Sequence, residues 1–328
     1  MSDAILKIKN LKIEFKSGKE TVQPIRGVNF ELKKGETLGV VGESGSGKSV
    51  TSLAIMGLLP ERTSKIVDGE INFKGNDITN LKEKQYRKIR GNEISMIFQE
   101  PMTSLNPVFT IGQQLSEPLR QHRNMSKKEI EKAVINVLNQ VGIPRAEQII
   151  NEYPHQLSGG MRQRVMISLA LLCEPDLMIA DEPTTALDVT IQAQILELMK
   201  NIKQENDMSL LLITHDLGVV AEMCDRVVVM YAGEIVEVAE INELFNEPLH
   251  PYTRGLIDSM PTQNTRKERL YSIRGQVPRP NEITKGCVFA NRCPLAFSKC
   301  FEETPPVFAR DDHLSKCWLQ NTKEGEVV

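Results

Sequence analysis

No stretch of this chain is apolar for long enough to cross a bilayer. Its longest apolar run, around Met166 to Cys173, falls far short of the ~20 residues a spanning helix needs. The first twenty residues carry charges throughout and lack the apolar core of a signal peptide. Both absences lead to the expectation of a cytosolic chain whose membrane role, if it has one, passes through a partner. Charge of one sign is missing too. Lys and Arg number 40 against 43 Asp and Glu, a formal net charge of −3, so no basic field argues for a nucleic-acid partner. Cysteine is absent from the first 172 residues, whereas four of the six, Cys287, Cys293, Cys300 and Cys317, crowd into the last 42. In a reducing cytosol such clustering points to metal or cluster ligation before disulfides. Internal repeats and low-complexity tracts are also lacking.

What is present describes an ordinary globular protein. The 328 residues, 40% hydrophobic and 25% charged, suit one large domain with an appendage. Leu11, Ile13 and Phe15 alternate with polar residues, the period-two mark of a half-buried strand. Leu38 to Val41 reads as a buried strand, followed by a Gly/Ser loop and an apolar-faced helix from Lys48 to Leu59. From about Leu81 to Gln156 the pattern turns helical and polar, with Lys127 to Val141 the clearest amphipathic helix. Strand-like runs return at Leu177–Ala180 and Leu210–Ile213, and Val227–Tyr231 with Glu234–Val238 reads as a hairpin. This alternation predicts an α/β core carrying antiparallel N-terminal material and a helical insert. After about Glu240, prolines punctuate a loop-rich tail. The expected division is residues 1–240, with a helical subdomain at about 87–170, and an extension over 241–328.

Three constellations carry chemistry. Gly42-Glu43-Ser44-Gly45-Ser46-Gly47-Lys48-Ser49 fits G-x-x-x-x-G-K-[ST] between a strand and a helix, the context this motif requires. Glycines let successive N–H groups turn inward, and the helix N-terminus adds positive potential for a polyphosphate. Gly42, Ser44, Gly45, Ser46, Gly47, Lys48, Ser49 and Val50 are the expected nucleotide-binding residues, with Lys48 on the β and γ phosphates and Ser49 on Mg²⁺; the motif leaves open which process uses the γ-phosphate. The second constellation is Leu177–Ala180 ending in Asp181 and Glu182. Asp181 is placed to hold Mg²⁺, and Glu182, facing another way, to polarise the attacking water as general base. His215, at the end of another apolar strand, is the expected γ-phosphate contact, and Gln99 could reach the metal or the water. A solvated acid pair and a structural histidine are the bland alternatives. The third is Leu157-Ser158-Gly159-Gly160-Met161-Arg162-Gln163-Arg164, a second anion-binding helix terminus. One nucleotide does not need two cradles from one chain, so two copies facing head to tail would each lend Ser158, Gly159, Gly160 and Gln163 to the other's nucleotide.

With these residues in hand, the chain resembles the nucleotide-binding subunits of ABC transporters. Walker A is GESGSGKS, the Q-loop residue Gln99, the signature LSGGMRQR, Walker B LMIADE, the D-loop Ala186-Leu187-Asp188 and the switch histidine His215, each once and in family order. The resemblance implies the ABC ATPase fold of P-loop NTPases, and it casts Phe15 as the aromatic stacking on adenine. A narrower resemblance, to ATPase subunits of dipeptide/oligopeptide importers, is carried by Gln99 to Pro107, Tyr153-Pro154-His155-Gln156 and His250-Pro251-Tyr252-Thr253. Arg274 to Pro278, Gly286-Cys287-Val288-Phe289 and Arg292-Cys293-Pro294 extend it into the tail. That family includes nickel and some oligosaccharide importers, and a non-transport ABC ATPase is a different class again. The resemblance implies a homologous second ATPase subunit, two membrane permeases, an extracellular solute-binding protein, and a peripheral place on the cytoplasmic face of the membrane. For Cys287, Cys293, Cys300 and Cys317, zinc is one alternative, though the C-x₂₋₄-C knuckles of its thiolate sites do not occur here. Iron–sulfur clusters accept more varied spacing, and the resembling subunits include ones with a [4Fe–4S] cluster in this tail. Four buried, unliganded thiols are the remaining alternative.

Overall fold

The structure, a computed structural model, describes residues 3–18, 20–99, 104–185, 187–260, 271–282 and 285–321. Along the chain run β1 (Ala4–Ser17), β2 (Glu20–Lys33), β3 (Thr37–Val41), α1 (Lys48–Ile55), β4 (Ser64–Phe73) and β5 (Asn76–Asp77). Then come α2 (Glu83–Ile89), β6 (Ile94–Ile97), α3 (Ile111–His122), α4 (Lys127–Gln140), α5 (Ala146–Ile149) and α6 (Gly159–Leu171). Next are β7 (Leu177–Asp181), α7 (Val189–Glu205), β8 (Ser209–Thr214), α8 (Leu217–Met223), β9 (Arg226–Tyr231) and β10 (Glu234–Glu240). The extension adds α9 (Ile241–Asn246), α10 (Pro251–Asp258), α11 (Ser298–Glu302), β11 (Phe308–Arg310) and β12 (His313–Ser315).

Two sheets form. One is antiparallel, in the order β2-β1-β4-β5; the other has the order β11-β12-β10-β9-β3-β8-β7-β6. The five strands from β9 to β6 are mutually parallel, and β3, β7 and β8 are buried along their whole length. That is why they read as unbroken apolar runs rather than alternating ones. One apolar core fills the space between the antiparallel sheet and one face of the central sheet, joining Ile13, Ile25, Ile55 and Ile179. A second packs the opposite face against the helices, joining Ile111, Leu138, Val165 and Leu212.

Three details depart from the sequence expectation. The helix after the Gly/Ser loop ends at Ile55, not Leu59. Gly57 turns left-handed (φ 59°), and the N–H groups of Gly57 and Leu58 bond back to the carbonyls of Ala54 and Leu53 at 3.0 and 2.8 Å, a glycine-closed helix end. The helical insert does not begin near 87. β6 lies in the central sheet, paired with β7, and α2 packs through Tyr86 with the antiparallel sheet's core, so the insert proper is α3–α6. Finally, the change of texture near Glu240 is no structural break, because β12 pairs with β10 and continues the central sheet.

Candidate functional site

The order β3-β8-β7-β6 brings four carboxyl ends of parallel strands side by side, the usual place for a ligand in an open α/β sheet. From them emerge the phosphate loop, His215, Asp181-Glu182 and Gln99. Residues scattered from 42 to 215 in sequence thus become neighbours.

The loop's glycines are required by space as well as by backbone. A Cβ on Gly47 (φ 106°) would lie 2.6 Å from Ile25 Cδ1, and one on Gly42 would lie 2.2 Å from the Met230 carbonyl oxygen. Lys48 is buried and donates to the carbonyls of Gly42 and Glu43 at 2.7 and 3.2 Å, lying back along its own loop. Burial lowers its pKa, opposed by the charges of Glu182, Asp181 and Glu43. Ser46 is buried with an unpartnered hydroxyl, while Ser44 and Gly45 are exposed. Ser49 and Val50 are partly buried in the first turn of α1.

At the end of β7 the two acids take different environments. Burial raises the pKa of Asp181, against the hydroxyls of Ser49 and Ser52, and its Oδ1 is a buried acceptor with no partner. Glu182 adopts a left-handed backbone (φ 49°) and carries the densest polar contacts of the site. It accepts from Gln99 Nε2 and Thr185 Oγ1, both at 3.0 Å, and meets His215 Nδ1 at 3.1 Å. Burial pushes its pKa up, but the bonds from His215 and Thr185 and the charges of His215 and Lys48 win and hold it below the usual range. The two neighbouring acids are therefore shifted in opposite directions, Glu182 held toward its ionised form and Asp181 left with an unpartnered carboxylate oxygen.

The signature segment forms the N-terminus of α6. Ser158 caps it, its hydroxyl accepting from Met161 N–H at 3.4 Å, and Ser158 and Gly159 are exposed. Gln163 does not share that surface. It is fully buried, and its Nε2 donates to the Pro183 carbonyl at 2.6 Å, tying the signature helix to the segment after Glu182. The expectation that its side chain reaches another chain's nucleotide is corrected here. Phe15 is a partly buried residue of β1, paired with Val22 and Ser64. Asp188 caps α7 by accepting from Ile191 N–H at 3.0 Å, while Ala186 and residues 100–103 lie outside the described residues. Thr185 was not anticipated; its only signal was a hydroxyl three residues beyond Glu182.

Comparison with known proteins agrees with this geometry. A family model described as ABC transporter matches residues 25–185, and one described as the oligopeptide/dipeptide transporter C-terminal region matches residues 236–300. The oligopeptide transport ATP-binding protein AppD of Bacillus subtilis (strain 168) is 54% identical over 323 residues, covering 98% of each chain. The dipeptide transport ATP-binding protein DppD of the same organism is 51% identical, covering 99% of this chain and 98% of its own. The chain belongs to the ABC transporter ATPase family. Among solved structures, the dimeric structure of a bacterial ABC transporter cassette aligns with a TM-score of 0.64 at 32% identity, covering 72% of this chain and 98% of that one. A dimeric cassette bound to ADP and Pi aligns equally well.

In the extension the four tail cysteines converge. Cys287, Cys293, Cys300 and Cys317 line one small cavity with His250, Phe289, Leu295 and Trp318. Burial pushes Cys287 up to about 11 and Cys317 up to about 12, while the backbone N–H groups of Phe289 and Leu319, each two residues on, favour the thiolates. Leu295 does the same for Cys293. The His250 ring accepts the Tyr252 N–H on Nδ1 at 3.1 Å, so its proton sits on Nε2, and that buried Nε2 has no partner. Among the described residues no three His, Cys, Asp or Glu side chains are arranged to hold a single metal ion. Cys173 and Cys224 are plain core residues, as their apolar surroundings suggest.

Proposed function

We propose that this chain is the ATP-hydrolysing subunit of a binding-protein-dependent importer of dipeptides and oligopeptides. The observation that carries the reading is near-complete, 54% identical coverage of an oligopeptide transport ATP-binding protein, tail included. Among the described residues no helix is long and apolar enough to cross a membrane, so the permeation path belongs to other chains. The proposed assembly pairs this chain head to tail with a homologous ATPase, beneath two permeases at the cytoplasmic face, with a solute-binding protein outside.

In the proposed mechanism, the loop from Gly42 to Ser49 cradles the phosphates, Phe15 backs the adenine, and Glu182 takes the proton of the attacking water. His215 and Gln99 keep that carboxylate oriented from either side. Ser49 and Asp181, with Gln99, would hold Mg²⁺; the unpartnered Asp181 Oδ1 fits that duty. Mg²⁺ neutralises phosphate charge when bound. Ser158, Gly159 and Gly160 would close the partner's site.

For the cysteines the proposed occupant is a [4Fe–4S] cluster rather than zinc. What supports it is four thiols on one cavity, N–H groups directed at three of the sulfurs, and an unpartnered His250 Nε2–H on the same wall. Zinc is the alternative occupant of the same four thiols; among the described residues no His, Cys, Asp or Glu group is arranged to hold a metal ion. A cluster supplies electron storage or rigidity; with the ATPase chemistry complete without it, the role proposed is structural. Co-purification from membranes tests the transport reading: a homologous ATPase and two permeases are expected, and ribosomal or DNA-repair partners would overturn it. Anaerobic protein should be brown, with broad absorbance near ~400 nm and about four irons per chain. Colourless protein with stoichiometric zinc would favour zinc, and protein with neither would leave four buried thiols.

A further inference from the structure

The extension reaches back to the phosphate loop. Arg292, adjacent to Cys293, forms a two-pronged ion pair with Glu43, the second residue of the loop, Nη2 meeting Oε1 at 3.0 Å and Nη1 meeting Oε2. Its side chain is 6% exposed. The same guanidinium donates to the Tyr231 hydroxyl at 3.2 Å, and its Nε to the Arg274 carbonyl at 2.9 Å, so its fork is held before it meets Glu43. A second contact takes the backbone: the Glu43 N–H donates to the hydroxyl of Tyr252, a fully buried residue of α10, at 2.8 Å. Phe289, two residues from Cys287, packs edge-on against Tyr231 with ring centres 5.2 Å apart and tilted against Tyr252 at 5.3 Å. Side chain and backbone of one loop residue are therefore both gripped by the tail.

We propose that Arg292 is a positioning residue of the nucleotide site, and that the extension, through Arg292 and Tyr252 on Glu43, pre-shapes the loop for ATP. The proposal rests on this loop's holding ATP. A loop that must turn several N–H groups toward one polyphosphate loses conformational freedom on binding, and a contact that imposes the shape beforehand removes part of that cost. Bidentate pairing matters because it fixes orientation as well as charge, which lysine cannot reproduce. The bonds of Arg292 go to Glu43, Tyr231 and the carbonyls of Ile273, Arg274 and Gly275, and to none of Glu182, His215 or Gln99. Its loss should therefore weaken ATP binding far more than turnover at saturation.

The test uses the full-length chain with its partner ATPase and reads Kd for a fluorescent ATP analogue beside KM and kcat. Arg292→Ala should raise Kd and KM about tenfold, the scale of one charge-assisted contact, with a much smaller fall in kcat. Glu43→Gln should do the same, and the double variant should be no worse than either single one. Exchanging the charges, Arg292→Glu with Glu43→Arg, should recover part of the affinity. Arg310→Ala removes an exposed ion pair of the same extension with Glu247 and should leave Kd unchanged. Parental Kd and KM in folded Arg292→Ala, or singles whose effects multiply in the double, would overturn the proposal. Should Arg292→Ala fail to fold, Arg292→Lys and Glu43→Gln answer the same question. A parental chain that binds no ATP would instead sink the nucleotide reading itself.

Discussion

Glu182→Gln isolates the base from its scaffold. In the parent one carboxylate oxygen accepts from Gln99 and Thr185 and the other meets His215 Nδ1. A glutamine can keep all three contacts: its carbonyl oxygen takes the place facing Gln99 and Thr185, and its amide donates to His215 Nδ1. The backbone at φ 49° is as accessible to Gln as to Glu. What disappears is the basic oxygen. General-base catalysis contributes about 10²–10⁴-fold, so kcat should fall by that factor, equivalent to about 3–5 kcal/mol of barrier. Nucleotide affinity should stay within a small factor of parental, because the phosphate loop is untouched. The assay is phosphate release by the assembled motor at saturating ATP, with nucleotide binding measured in parallel. Parental turnover in the Gln variant would refute the role given to Glu182. Lost binding with unchanged single-turnover rate would show that the residue holds the loop instead.

Lys48→Ala should weaken ATP binding by at least about tenfold, since it removes the phosphate cation and the bonds to the Gly42 and Glu43 carbonyls; titration calorimetry reads it. Asp181 is a buried acid whose pKa is raised by that burial, so its charge costs stability above its folded pKa and the cost is relieved as pH falls. Asp181→Asn should therefore raise the melting temperature of nucleotide-free protein near pH 8, by about 2 °C per kcal/mol recovered, with the gain shrinking as pH falls through the raised folded pKa, and abolish stabilisation by Mg²⁺-ATP; a lower melting temperature at pH 8 would contradict this. Ser158→Arg should leave this chain's own nucleotide binding near parental and suppress hydrolysis at the partner's phosphate loop, measured by mixing with a partner competent only there; full activity would exclude the head-to-tail arrangement. Glu237→Ala should cost about 3–5 kcal/mol in urea unfolding, because buried Glu237 accepts from the N–H groups of Leu249 and His250 and from His313 Nε2 at 2.6, 3.0 and 2.7 Å.

The nucleotide site was legible because its residues are local words. Gly42 to Ser49, Asp181-Glu182 and Leu157 to Arg164 each announce themselves within eight positions, and the apolar runs before them place each at a strand or helix end. Burial on both faces of the parallel strands made those runs unmistakable. Gln163 misled for the opposite reason: it sits in a surface motif, yet helical geometry turns position 163 inward, to Pro183. The strand at Ile94–Ile97 lies inside the polar, helical-looking span from Leu81 to Gln156, so its place in the central sheet did not show. Contacts such as Arg292 with Glu43 span 249 positions and leave no local trace in one sequence.

The tail illustrates what composition conceals. Prolines and scattered cysteines suggested an appendage, yet β12 pairs with β10 and carries the central sheet outward to β11. Glu237, in β10, binds β12 through His313 and the approach to α10 through the Leu249 and His250 N–H groups. His250 in turn sets the Tyr252 N–H, and the Tyr252 hydroxyl reaches Glu43. A continuous run of short polar contacts therefore links the sheet edge, the wall of the cysteine cavity and the phosphate loop. The links through Glu237 and His250 are buried and the last, to Glu43, is half-buried; an unpaired group costs most where burial is complete, so disturbance at the Glu237 end is not absorbed locally. The extension is thus part of the nucleotide-binding body, and truncation near residue 240 should expose β10 and release Glu43 together rather than yield an independent cassette.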